Sequence, residues 1–154
     1  KSAGLSVRSN EPLEKGMELQ DSSVSIEHTL VDMGADEFTE GKPHPMVDST
    51  QRIQRILSEA EDPKVAVILL DCVLGYVAAE NPGGDISPAI SEAQRIAEQR
   101  GDNLTVVVSI CGTELDYQGL EAQVNSLEEA GAIVFTSAFQ AAQFAVQIVE
   151  GKNQ

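Results

Sequence analysis

Two turns that follow apolar strands carry the residues best suited to binding an anion. The first turn comprises Cys72, Val73, Leu74, Gly75 and Tyr76, and the second comprises Cys111, Gly112 and Thr113. A turn that leads from a strand into a helix presents backbone N–H groups and the positive end of the helix dipole, which together bind phosphate. The sequence therefore predicts a phosphate-binding site at these turns, although the glycines also suit plain turn geometry. No GxGxxG or GxxxxGK[ST] pattern accompanies them.

His44 is the side chain best suited to proton transfer or nucleophilic attack. It lies in a long loop between Pro43 and Pro45, which would hold the imidazole in place. We therefore predict a catalytic role for His44, and the alternative is a surface histidine that only forms local hydrogen bonds. No second histidine or cysteine stands at metal-ligand spacing, so the sequence predicts no metal site.

The net charge indicates which classes of partner to expect, and the cysteine content indicates the cellular compartment. The net charge of -15, from 25 acidic and 10 basic residues, repels nucleic acid and anionic lipid, and we expect neither as a partner. The acidity indicates a solvated surface or a basic partner domain. Two cysteines without CxxC spacing, and a start that lacks an apolar signal segment, predict a cytoplasmic protein. The chain starts at Lys1 rather than Met, which we interpret as part of a longer protein.

Apolar runs and helical periodicity alternate along the chain. Val65–Asp71 and Leu104–Ile110 are apolar on both faces, as in central strands of a parallel sheet. We predict further strands at His28–Met33 and Ala132–Phe135. The helices are predicted to begin after Asp48 or Ser49, at Ser87–Pro88, and over Tyr117–Ala130 and Ala138–Val149, the last with Ser137 and Gln140 at capping-box spacing. This alternation predicts an α/β fold, a three-layer sandwich with a flavodoxin-like open parallel sheet and helices on both faces.

The order of these segments resembles that of a known enzyme domain. HTLVDMG, DSTQRIQRIL, KVAVILLDCVLG and LTVVVSICGTELDYQGLEAQVNSLEEAGAIVF follow one another as in the flavodoxin-like CoA-ligase domain of the succinyl-CoA synthetase β subunit. The loop EGKPHPMVDSTQR is similar to a GRPHPMIDPT stretch of FdrA-type proteins, which are relatives of the acyl-CoA synthetases. We therefore expect an arm or linker at 1–26 and a CoA-ligase domain at 27–152.

The resemblance implies a domain of an acyl-CoA synthetase that works with acyl phosphate and CoA. In that family a glycine pair starts a helix whose N-terminus binds the phosphate of a phosphohistidine. At the turn of Cys72–Tyr76 this chain has one glycine, Gly75, and nothing in it matches the phosphohistidine motif. The resemblance implies that CoA and ATP or GTP with Mg bind elsewhere in the parent enzyme. It also implies other domains or a subunit as partners, in a homo- or hetero-oligomer.

Two other functions remain open at this point. FdrA-type proteins are also linked to carbamoyl transfer to oxamate, so the chain could belong to a carbamoyltransferase that uses carbamoyl phosphate. The second alternative is a non-catalytic interaction or dimerisation domain. A phosphate site needs free amides at Cys72–Tyr76, whereas an interaction domain tolerates amides that neighbouring side chains block.

Overall fold

The computed structural model describes residues 3–151, which divide into two compact units, Lys1–Pro45 and Met46–Gln154. The first unit contains strands β1 (Val7–Ser9) and β2 (His28–Leu30), which pair in parallel, and a single-turn helix α1 (Asp36–Thr39). The predicted arm therefore contains a strand that its composition did not indicate. The division into 1–26 and 27–152 stays a prediction, and residues 1, 2 and 152 lie outside the described part.

The second unit is an alternation of helices and parallel strands. Its elements are α2 (Thr50–Ala60), β3 (Val67–Val73), α3 (Pro82–Arg100), β4 (Thr105–Cys111), α4 (Leu120–Glu129), β5 (Ile133–Phe135) and α5 (Ala138–Val149). The three strands are hydrogen-bonded in the order β3-β4-β5. The predicted α/β class with parallel strands and helices on both faces is confirmed, and β2 pairs with β1 in a separate sheet.

Helices cover both faces of the sheet, because alternate residues of β4 point to opposite sides. Val106, Val108 and Ile110 face the main core, together with residues of α3 and α4 such as Ile86, Ile90, Ala93 and Leu127. Val107 is fully buried on the other side, where α5 contacts all three strands. Helix α2 packs against α3. The second unit therefore has three layers, with helix, sheet and helix in turn.

Most element boundaries lie within three residues of their predicted positions. Helix α5 has its predicted bounds, and Ser137 Oγ accepts a hydrogen bond from the Gln140 N–H at 3.4 Å. Ser49 is the N-terminal cap position of α2 without a side-chain bond, whereas Asp48 Oδ1 accepts from the Thr50 N–H at 2.8 Å. The Thr50 hydrogen bonds also lower the pKa of Asp48.

The predicted start of α3 at Ser87–Pro88 is wrong. The helix begins at Pro82 and carries Pro88 in its interior. Ser87 does not cap the helix; its hydroxyl lies within hydrogen-bond distance of two carbonyl acceptors, those of Gly83 at 2.8 Å and Ser126 at 2.9 Å. Proline at the first position is favourable in either register, so the local pattern could not choose between Pro82 and Pro88.

Candidate functional site

The two predicted turns lie side by side at the carboxyl edge of the second unit's sheet. Val73 of β3 is opposite Cys111 of β4 in the parallel register. One residue further on, the Leu74 N–H donates to the Cys111 carbonyl at 2.8 Å. Ligands of open parallel sheets bind outside this edge, so the structure brings the predicted site residues of both turns together where a ligand could bind.

The first turn contains a residue, Gly75, whose backbone N–H and carbonyl both already form hydrogen bonds. Gly75 has a φ of +133°, which only glycine adopts readily. Its N–H donates to Gln118 Oε1 at 3.2 Å, and its carbonyl accepts from Gln118 Nε2 at 2.9 Å. Gln118 Nε2 also donates to the Ala79 carbonyl at 3.0 Å. The Gly75 amide is therefore not available to a ligand while Gln118 holds this position.

The backbone of the second turn already binds a carboxylate, that of Asp116. The Thr113 N–H donates to Asp116 Oδ2 at 2.6 Å, and the Thr113 hydroxyl donates to the same oxygen at 3.1 Å. The position that a Cβ on Gly75 would occupy lies 4.0 Å from Asp116 Oδ1. A carboxylate therefore stands at the point where the two turns meet, and a phosphate would have to compete with it.

Several other residues of the predicted site have a role in the fold itself. Cys72 and Val73 belong to β3 rather than to a turn, and Cys72 is fully buried. Burial raises the pKa of its thiol from 9.0 to about 11, so at neutral pH it is not a thiolate nucleophile. A Cβ on Gly112 would lie 2.6 Å from Leu74 Cδ1. Gly112 is therefore needed for the close approach of Leu74.

Tyr76 of the first turn and Gly112 of the second have N–H groups that can bind a ligand. Within residues 3–151, the N–H groups of Tyr76 and Gly112 make no hydrogen bond. Tyr76 is also 98% exposed. These two amides, one from each turn, can therefore bind an anion without displacement of Gln118 or Asp116.

The N-terminus of α3 carries a pair of glycines that packs against α4. Gly83 and Gly84 follow Pro82 in the first turn. The Gly83 N–H donates to Gln123 Oε1 at 2.8 Å, and a Cβ on Gly83 would lie 3.0 Å from the Gln123 carbonyl oxygen. Gly83 therefore permits close packing of α3 against α4, and its amide is occupied by a side chain of α4.

His44 belongs to the first unit, whereas the two turns belong to the second. A Cβ on Gly34 would lie 2.9 Å from His44 Nε2 and 3.1 Å from Asp32 Oδ1. The imidazole and the Asp32 carboxylate therefore both approach the backbone at Gly34, and a larger residue there would displace one of these side chains. The catalytic role of His44 stays a prediction.

No sequence pattern pointed to the two glutamines that hold this edge together. Gln118 and Gln123 are 7% and 4% exposed, and Gln123 Nε2 donates to the Gln118 carbonyl and to Asn81 Oδ1. Their partners in the other loop lie 39 to 43 residues away in the chain. A glutamine in a turn or in a helix predicts none of these contacts by itself, so they could be found only in the structure.

Among residues 3–151 no group of three or more His, Cys, Asp or Glu side chains is arranged to hold a metal ion. None of the helices described is long and apolar enough to cross a bilayer.

The chain belongs to the CoA-ligase family, which it matches over residues 2–148. It is also similar to the Uncharacterized protein YahF of Escherichia coli (strain K12), with 47% identity over 119 residues. This match covers 77% of the chain and 23% of YahF. The chain therefore spans about a quarter of the length of that relative.

Proposed function

We propose that this chain is the CoA-ligase domain of an FdrA-like acyl-CoA synthetase and contributes a phosphate-binding edge and a subunit interface to acyl-phosphate and CoA thioester chemistry. The observation that carries the proposal is the pairing of the two turns at the carboxyl edge of a parallel sheet, in a chain of the CoA-ligase family. The free N–H groups of Tyr76 and Gly112 would be the donors to the phosphate.

In this proposal the chain orients the phosphate, and other parts of the enzyme bind the remaining ligands. In such an enzyme the nucleotide with Mg and CoA would bind to other parts of the protein, and the reacting phosphate would be presented by a partner domain. The residues of this chain would orient the phosphate through backbone amides, which need no proton transfer and keep their positions during the reaction. The two free cysteines suit a reducing compartment such as the cytoplasm.

A second candidate function is a non-catalytic interaction domain, which is favoured by the amides that already bind side chains. Gln118 and Asp116 already bind the Gly75 and Thr113 N–H groups, as a non-catalytic interaction domain would tolerate. This alternative predicts that phosphate binds no better than sulfate. A third candidate, a carbamoyltransferase subunit, predicts a preference for carbamoyl phosphate.

An amide NMR titration of the 154-residue chain tests these proposals. Inorganic phosphate and then carbamoyl phosphate are added at pH 7 and low salt, with sulfate at matched ionic strength as the control for plain charge effects. We expect saturable shifts at Tyr76 and Gly112 with phosphate that sulfate does not reproduce. The variant Tyr76→Pro removes one of these donors and should weaken phosphate binding.

The outcomes separate the candidates. Shifts that are absent, or equal with sulfate, would contradict the phosphate-binding edge and leave the interaction domain. A higher affinity for carbamoyl phosphate than for inorganic phosphate would favour the carbamoyltransferase.

His44 requires a test in the longer enzyme, because its unit is distinct from the one that carries the turns. If His44 is catalytic, His44→Ala lowers kcat, while His44→Gln, which retains polar atoms for local hydrogen bonds, lowers it as well. Unchanged turnover in both variants would leave His44 with a structural role only.

A further inference from the structure

The loops at the carboxyl edge of the sheet expose apolar side chains to an unusual extent. Tyr76 and Val77 of the first loop are 98% and 79% exposed, and Leu115 of the second is 96% exposed. These are the three most exposed large hydrophobic side chains among the described residues of the second unit. Single exposed apolar residues are normal on a surface, but a group of them on two adjoining loops marks an interaction site.

The two loops form one preformed surface. The rings of Tyr76 and Tyr117 have centroids 6.4 Å apart, and the Tyr117 hydroxyl donates to the Ala78 carbonyl at 3.1 Å. The hydrogen bonds of Gln118 to Gly75 and Ala79 fix the first loop against the second. Binding at a surface that is already ordered avoids the entropic cost of ordering the loops.

The charges around this surface have one sign. The loop segments 74–81 and 112–121 contain no Lys or Arg, while they carry the exposed acids Glu80, Glu114 and Glu121. Arg52, which approaches this edge from α2, is paired with Asp71 at 3.7 Å and donates to the Asp71 carbonyl. A partner with basic residues around an apolar centre would complement both properties.

We infer that the loops 75–80 and 113–117 form a docking surface for a protein surface with an apolar centre and a rim of Lys and Arg. Tyr76, Val77 and Leu115 insert into the apolar centre, and the acidic side chains pair with the rim. The inference rests on the proposed function, because it specifies the chemistry of the partner that would complete the phosphate-binding edge. Tyrosine is enriched in such binding surfaces because it buries a large area at low entropic cost.

The test uses a short amphipathic helical peptide of Leu and Lys as a defined basic, apolar partner surface. Its amide NMR titration into the 154-residue chain is compared with that of a twin peptide in which every Lys is Glu. We expect saturable shifts confined to residues 75–80 and 113–118 with the Lys peptide and none with the Glu peptide. The double variant Tyr76→Ser with Leu115→Ser should lower the affinity about tenfold or more, since it removes two apolar anchors.

Leu13→Ser is the matched control, because Leu13 is exposed to the same 96% as Leu115 but lies in the first unit. This variant should bind the Lys peptide as the unchanged chain does. The inference is overturned by shifts that spread over other acidic surfaces, by equal binding of the double variant, by binding of the Glu peptide, or by no binding. The phosphate titration is independent of this result, so a failure of the phosphate site and a failure of the docking surface can be told apart.

Discussion

Gln118 shows how one side chain can determine the conformation of a loop. Its carboxamide is 7% exposed and makes three hydrogen bonds to the backbone of Gly75 and Ala79. One N–H donor and two carbonyl acceptors match the oxygen and the NH₂ group of a glutamine. If the carboxamide were removed, the partly buried Gly75 N–H and Ala79 carbonyl would lose this partner, whereas the Gly75 carbonyl would keep the Ala78 N–H at 3.2 Å. Leaving such groups unpaired costs more than the net value of the bonds themselves.

Gln118→Met should therefore destabilise the protein, since methionine has a similar size but cannot form these hydrogen bonds. We expect the free energy of unfolding to fall by about 2–4 kcal/mol, measured by urea denaturation. Gln143→Met, at an exposed position of α5, is the matched control and should change it by less than about 0.5 kcal/mol. Equal effects of both substitutions would contradict the role assigned to Gln118.

The two cysteines differ in reactivity because only one of them is exposed. Cys72 is fully buried and Cys111 is exposed, and burial raises the pKa of Cys72 from 9.0 to about 11. In the native protein we expect alkylation of Cys111 alone at pH 8, with Cys72 modified only after unfolding. Mass spectrometry after a short exposure to iodoacetamide measures this, and rapid native modification of Cys72 would be the contrary result.

The same pKa shift predicts a loss of stability in base. Between pH 9.0 and about 11 the unfolded chain releases the Cys72 proton while the folded chain keeps it, so the folded state binds more protons and stability falls as pH rises. The loss approaches about 2–3 kcal/mol near the upper limit. Cys72→Ala should have a flatter stability curve across this range than Cys111→Ala, compared by urea denaturation at several pH values. Parallel curves would show that Cys72 does not contribute.

At the scale of elements, the start of α3 depends on contacts rather than on local propensity. A Cβ on Gly83 would lie against the backbone of α4, whereas the three atoms nearest to a Cβ on Gly84 all belong to the Asn81 side chain. A side chain can turn away at modest cost, but the backbone of a packed helix cannot.

Gly83→Ala should therefore be more destabilising than Gly84→Ala. We expect a loss of about 1–3 kcal/mol for Gly83→Ala from overpacking. For Gly84→Ala, the better helix propensity of alanine, about 1 kcal/mol, offsets the displacement of Asn81. Thermal unfolding of the two variants measures the difference, and a reversed order would show that α3 and α4 can separate to make room.

At the scale of the whole molecule, the net charge of -15 sets the response to salt. Repulsion among 25 acidic residues opposes the compact state more than the expanded one. Sodium chloride should therefore raise the urea concentration at the unfolding midpoint. Most of the increase should be complete by about 0.2 M, because the Debye length is already about 8 Å at about 0.15 M. A midpoint that is constant or lower in salt would mean that the acids are already compensated by local pairing.

Much of the fold could be predicted from the sequence, because the relevant signals are local. Apolar residues on both faces indicated the central strands, helical spacing indicated α2 to α5, and Ser137 with Gln140 indicated the cap of α5. The two turns could also be predicted as neighbours, because consecutive parallel strands carry them. Parallel register then brings Val73 opposite Cys111.

The sequence by itself determined the class of fold, the order of its elements and the membership of the CoA-ligase family, since these depend on periodicity, propensity and shared motifs. Only the tertiary structure decided that β2 pairs with β1, that α3 begins at Pro82, and that Gln118 and Asp116 occupy amides of the two turns. The first two arise from pairing and packing between distant segments. The hydrogen bonds to these amides depend on how the loops pack together, and such contacts produce no periodic pattern in the sequence.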